Sequence, residues 1–140
     1  MAIRQLSVFA ENKPGSLIAI TEALSRSSID IRAMSLADTK DFGILRLIVS
    51  DPDAAKAALL AENVLVGENP VVAVAIPDQP GALTELMKLL AENAINVEYM
   101  YAFLVPVKGR AFVALRVPEA ESAETILSAA GFETVSDGTF

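Results

Sequence analysis

Apolar and polar positions along the chain switch between a strand period and a helix period in short, regular blocks. From Ile3 to Ala10, Leu6, Val8 and Ala10 fall on one side while Gln5 and Ser7 fall on the other, as in a half-buried strand. Leu17, Ile20 and Leu24 then recur at helical spacing, which predicts a helix from Ser16 to Ser27 whose apolar stripe covers a sheet. Ile29, Ile31 and Ala33 alternate with Asp30, Arg32 and Met34 in a second strand, and Ile44 to Val49 form a third, rich in β-branched residues. The polar stretch Ala37 to Gly43 between them reads as a hairpin connection. Asp51-Pro52 is a helix start, with Asp as the cap and Pro at the first helical position, and the Ala-rich segment after it runs to Glu62. Val64 to Val66 reads as a short fourth strand. Gly67-Glu68-Asn69-Pro70 is the turn-rich break before an apolar run, Val71 to Ile76, starts the pattern again.

The second half repeats the first. An offset of 66 pairs Pro14 with Pro80, Val8 with Val74, Gly15 with Gly81, Leu17 with Leu83, Leu24 with Leu90 and Ile29 with Ile95. It continues through Met34 and Met100, Gly43 and Gly109, Pro52 and Pro118, and Ala57 and Ala123. An offset held through loops and apolar stripes alike marks a duplicated structural unit. The final helix ends near Ala130-Gly131, Phe132 to Val135 supplies a last strand, and Asp137 to Phe140 is expected to be a frayed tail. Two domains follow, residues 1–68 and 69–140. The order strand, helix, strand, strand, helix, strand predicts an α+β fold of two ferredoxin-like βαββαβ units, antiparallel sheets with helices on one face. A unit of this size with an open sheet face and two edge strands is marginal alone, so the halves are expected to join edge to edge or face to face, with residual exposed surface favouring a homodimer.

Composition narrows the function. Hydrophobic residues make up 53% of the 140 and charged residues 21%, enough apolar surface for packed cores. The net charge of −7 comes without a basic cluster, which argues against nucleic acid. Without Cys or His, disulfides, zinc-thiolate sites, thiol nucleophiles and the commonest general base are closed to the chain. Carboxylate-only chemistry stays open, but the acidic residues fall mostly on predicted helix faces and in turns, so no catalytic residue, metal or cofactor is expected. No apolar run approaches the roughly 18 residues of a membrane span, and the N-terminus enters a strand pattern without a signal-peptide core, so no membrane association and a cytoplasmic location are expected.

The chemistry concentrates in the turn Asn12-Lys13-Pro14-Gly15-Ser16-Leu17 and its copy Asp78-Gln79-Pro80-Gly81-Ala82-Leu83. Each joins a strand to a helix, where unpaired backbone N–H groups and the helix dipole favour an anion and Gly permits close approach.

This Pro-Gly-x-Leu turn after the first strand of each half, within this order of elements, resembles the ACT domain, here as a tandem pair covering almost the whole chain. Asn12 and Asp78 stand two residues before Pro, where ACT domains carry Asn or Asp. Asp30 and Asn96 match a small polar residue early in the second strand of amino-acid-binding members. The segment from Ala37 to Arg46 is similar to stand-alone tandem ACT proteins, whereas Phe103 to Arg110 departs from it. The resemblance implies regulation: binding of a free amino acid or similar metabolite at domain interfaces, with the signal passed to a separate metabolic enzyme. In such a site the N–H groups of Gly15, Ser16 and Leu17 suit a ligand carboxylate, Asn12 offers an amide, and Asp30 or Asn96 from a neighbouring unit accepts from the ammonium. Asp78, Gly81, Ala82 and Leu83 build the equivalent site. Asp78 would repel a carboxylate, which favours the Asn12 turn as the cradle.

Other readings of the same residues stay open. Gly15 and Gly81 also fit plain turns, Asn12 and Asp78 also fit Asx turns, and Asp30 and Asn96 also fit solvent-facing strand positions. Met34, Met100, Tyr99, Tyr101 and Phe103 read first as sheet-face packing. Asp41-Phe42-Gly43 reads as a hairpin turn, with Asp38 and Thr39 beside it as possible contacts. Against a ligand-binding regulator stand an interaction module that docks a partner enzyme without a ligand, and a small enzyme using Asp or Tyr.

Overall fold

The computed structural model describes residues 2–38 and 42–136, and backbone contacts divide the chain into two compact units. One comprises Arg4–Asn69, and the other Pro70–Phe140 together with Met1–Ile3. In the first unit β1 (Ile3–Glu11), α1 (Ser16–Arg26), β2 (Ile31–Asp38), β3 (Phe42–Val49) and α2 (Pro52–Ala61) precede the start of β4 (Val66–Pro77). In the second, the rest of β4 is followed by α3 (Ala82–Glu92), β5 (Tyr99–Ala102), β6 (Arg110–Arg116), α4 (Ala120–Ala129) and β7 (Glu133–Val135). Both are α+β units with antiparallel strands.

In the first unit β3 lies between β2 and β1, with Leu6 opposite Leu47, Val8 opposite Leu45 and Met34 opposite Leu47. Alternation sends Leu6, Val8, Leu45, Leu47 and Val49 to one face, where Ile20 and Leu24 of α1 and Leu59 of α2 close the core. Burial of one such Leu is worth about 1.5–3 kcal/mol, so the stripe read from the sequence holds both helices on this face. The second unit is built alike, with β4 flanked by β6 and β7 and with Val72, Val74, Val113 and Leu115 against Leu86, Leu90 and Leu127.

The helix ends repeat as well. Asp51 caps α2, its Oδ1 accepting from the Ala54 N–H at 3.1 Å. Among the described residues all four helices stop on the paired hydrogen bonds of a Schellman motif: Ile29 N–H to Leu24 O, Val64 to Leu59, Ile95 to Leu90 and Phe132 to Leu127, each 2.9–3.0 Å. The left-handed residue this motif needs is Gly131 in α4, but Ser28 (φ 56), Asn63 (φ 60) and Ala94 (φ 55) in the others. The Gly signal therefore showed one stop of four, while the apolar pair on either side of the stop marks all of them.

The structure revises several boundaries. Gly67 to Pro70, expected to be a turn-rich break, are extended and belong to the single strand β4. Non-local partners hold them: Arg4 donates to Glu68 Oε1 from Nη2 at 2.8 Å, Lys56 stands 3.7 Å from the same carboxylate, and Ser7 Oγ donates to Asn69 Oδ1 at 3.3 Å. Arg4 also bonds Asp53 at 2.7 Å, and these contacts hold the Asp53 and Glu68 carboxyls below their ordinary values and raise Arg4. The expected hairpin over Ala37–Gly43 is shorter, because Ala37 and Asp38 close β2 and Phe42 and Gly43 open β3, with Asp38 opposite Gly43. Asp41-Phe42-Gly43 is thus not a turn as a whole; Thr39, Lys40 and Asp41 lie outside the described residues, as does the tail 137–140. Ile29, Asp30 and Asn96 precede their strands, and Val64 and Leu65 precede β4. A bulge between Ile31 and Ala33 sets Arg32 aside from the ladder, and its Nε donates to Asp30 Oδ2 at 3.1 Å.

Candidate functional site

The two turns have nearly the same backbone. Lys13 N–H reaches Glu11 O at 2.9 Å and Gln79 N–H reaches Pro77 O at 3.0 Å; Ser16 N–H to Lys13 O and Ala82 N–H to Gln79 O are both 3.3 Å. Pro at the first central position and Gly at φ 89 or 90 at the next make Lys13–Ser16 and Gln79–Ala82 type II turns. Glycine is thus required by the turn itself at both places. Because each glycine occupies the position before its helix and offers no side-chain cap, the helix start is left to backbone donors. The Ser16 N–H is used within the turn and the helical bonds begin with Ala19 N–H to Gly15 O, so the Gly15, Leu17 and Ile18 N–H groups are the donors this end presents among the described residues.

A cavity of about 270 Å³ opens beside the first turn. Glu11, Asn12, Lys13 and Ser16 form its polar side, with Lys13 Nζ 3.0 Å from Glu11 Oε2. Ala10, Leu17, Leu36 and Gly43 form the apolar side. Register produces this wall: Ala10 stands opposite Gly43, and Leu36 follows Met34 on the helix-facing side of β2. Gly43 leaves the space, since a Cβ there would meet Leu36 Cδ1 at 2.9 Å. An anion held by backbone N–H groups at one end, with an uncharged group against the strands at the other, suits this arrangement.

Of the residues expected to bind, Asn12, Ser16 and Leu17 line this cavity. Pro14 and Gly15 shape the turn and line a neighbouring groove of about 500 Å³ with the exposed Phe9, Phe42 and Leu65. Asp30 follows the far end of α1, about 16 Å along a helix of this length, in a separate cavity with Thr21, Ser25 and Ser28. Within its own unit it does not join the turn. In the second unit Ala82 packs into the core, Leu83 is partly exposed, the Asp78 N–H bonds Gly109 O at 3.0 Å, and Asn96 is exposed. The cavity described there is bounded by Pro77, Gly109, Arg110 and Gly131–Glu133, and takes in none of Asp78, Gly81, Ala82 and Leu83. The residues the sequence did not single out are Ala10, Glu11, Lys13, Leu36 and Gly43. The repeated pair Gly43 and Gly109 was their one visible trace.

Tyr99 and Tyr101 stack on each other with centroids 6.4 Å apart, and Phe103 tilts against Phe112 at 6.3 Å. Among the described residues no three His, Cys, Asp or Glu side chains gather as for a metal, and no helix is long and apolar enough to cross a membrane.

The fold and the duplicated turn can be set beside known proteins. Residues 1–139 match the family described as the ACT domain pair. A crystal structure of a protein from Bacteroides thetaiotaomicron shares 36% identity and a TM-score of 0.90, covering 96% of this chain and 92% of that one. The ligand-free regulatory subunit of aspartate kinase from Thermus thermophilus has the same fold at 18% identity and a TM-score of 0.67, with 93% of each chain covered. The corresponding subunit from Thermus flavus gives 18%, 0.61 and 93% of each chain. No curated protein matches the chain. With the match running through both units, the chain belongs to the ACT-domain family as an ACT domain pair.

Proposed function

We propose that this ACT domain pair is a non-catalytic, cytoplasmic regulator that binds a free amino acid or similar small metabolite at ACT-domain interfaces, as a homodimer acting on a separate metabolic enzyme. The observation that carries the reading is the cavity of about 270 Å³ at the Asn12–Leu17 turn, where Asn12, Ser16 and Leu17 of the turn face Ala10, Leu36 and Gly43 of the strands. Gly15 and Leu17 N–H groups take the carboxylate and Asn12 adds a polar contact, while the ammonium is met by an acceptor from a neighbouring unit, with Asp30 or Asn96 as candidates. The second turn, with Asp78, Gly81, Ala82 and Leu83, is the weaker site because Asp78 repels a carboxylate and Ala82 is turned into the core. Related folds that serve as regulatory subunits of aspartate kinase support a regulatory role with an enzyme on another chain.

A thermal-shift screen of the twenty amino acids tests this. A ligand present at a hundred times its Kd stabilises the folded state by about 2.7 kcal/mol, a shift of several degrees. A flat response across the set, unchanged in Gly15→Val, refutes the reading. It would favour the alternative, a ligand-independent module docking a partner enzyme, for which the specific support is the exposed apolar groove of Phe9, Phe42 and Leu65 at 52, 53 and 73% exposure.

A further inference from the structure

The walls of the turn cavity carry information about the ligand's side chain, and we infer that the site selects amino acids with an uncharged, apolar side chain, with Leu36 and Gly43 setting that choice. This deepens the proposed function and rests on the reading of the Asn12 turn as an amino-acid site. Among the described residues Glu11 and Lys13 are the charged ones in the lining, and they neutralise each other at 3.0 Å. A ligand bringing an aspartate or lysine side chain finds no uncompensated opposite charge among the described residues there, and it must lose hydration against Ala10, Leu17 and Leu36 without return. An aliphatic side chain loses nothing and covers apolar wall that is now half exposed, Leu36 being 50% open to solvent. The volume, about 270 Å³, lies just under the range of about 300–1,000 Å³ typical of drug-sized ligands, which suits a single amino acid.

Gly43 enters as a size determinant. An added Cβ would stand 2.9 Å from Leu36 Cδ1, while its other neighbours, Ala37 O and Ala10 O, lie at ordinary contact distances of 3.6 and 3.7 Å. The substitution is therefore accommodated by moving the end of Leu36, so it changes the apolar wall rather than the backbone. The wall is assembled on three strands and the start of α1, and no single stretch of sequence contains it.

Titration calorimetry on the full chain with leucine, alanine, aspartate and lysine tests the inference. Leucine should bind at least about tenfold more tightly than aspartate or lysine, the scale of one uncompensated group in an apolar pocket. Leu36→Glu, on an exposed edge-strand position, should weaken leucine by about tenfold or more and narrow the gap to lysine. Gly43→Ala, checked for folding by its circular dichroism, should weaken leucine more than alanine. Equal affinity for leucine and for aspartate or lysine, or leucine binding untouched in both variants, overturns the inference while leaving an amino-acid site in place. Binding by none of the four overturns this inference, and a flat screen of all twenty overturns the proposed function with it.

Discussion

Replacing Gly15 by alanine isolates the backbone requirement of the turn from everything around it. Gly15 has φ +89 and ψ −12, and an added Cβ would meet nothing within 4 Å. No clash or cavity contributes, so the cost is that of placing a Cβ-bearing residue in the left-handed region, about 1–2 kcal/mol. Gly81, at φ +90 and equally open, should cost the same. For a chain of this size the change corresponds to a fall in melting temperature of roughly 3–8 °C. Urea midpoints for Gly15→Ala and Gly81→Ala, with the slope compared to wild type, measure it. The sign is decisive, because Gly→Ala at a position of ordinary φ stabilises by about 0.4–1 kcal/mol through the unfolded chain. A rise in midpoint for either variant, or a loss in one with none in the other, would refute the type II geometry and the equivalence of the two turns.

The opposite substitution should help where a helix stops on a left-handed residue other than glycine: Ala94→Gly, at φ 55 in the α3 stop, should gain roughly 1 kcal/mol in urea denaturation, and a lower midpoint would count against the Schellman geometry there. Acid stability should depend on Arg4, whose hydrogen bonds lower both Asp53 and Glu68. The stability these carboxyls add is complete above their unfolded values of about 4 and is lost as pH falls through the lower folded values. Arg4 titrates far above this window and adds no slope there. Arg4→Met should therefore lower stability at neutral pH and flatten the decline below about pH 4, and midpoints that fall as steeply as in wild type would exclude the network as the cause.

Much of this was local enough to be read in advance. The alternation of Leu6, Val8 and Ala10, the stripe of Ile20 and Leu24, the Asp51-Pro52 start and the two Pro-Gly turns each act within one helical turn or one strand. Their outcome is decided by neighbours in sequence. Asn12, Ser16 and Leu17 line one cavity for the same reason, since they belong to one turn. Within its own unit Asp30 stands apart from that turn, because a whole helix separates them.

By itself, then, the sequence determined the duplicated unit, the core-facing stripes and the turn geometry, all of which follow from periodicity and from the backbone angles that Pro and Gly allow. The tertiary structure decided the rest. Gly67 to Pro70 have turn propensity yet lie in β4, because Arg4 and Ser7, more than sixty residues away, supply partners that an isolated segment lacks. The apolar wall of the cavity exists because strand register sets Ala10 opposite Gly43 and leaves Leu36 over the gap, a juxtaposition fixed by pairing between strands and written in no single stretch of chain.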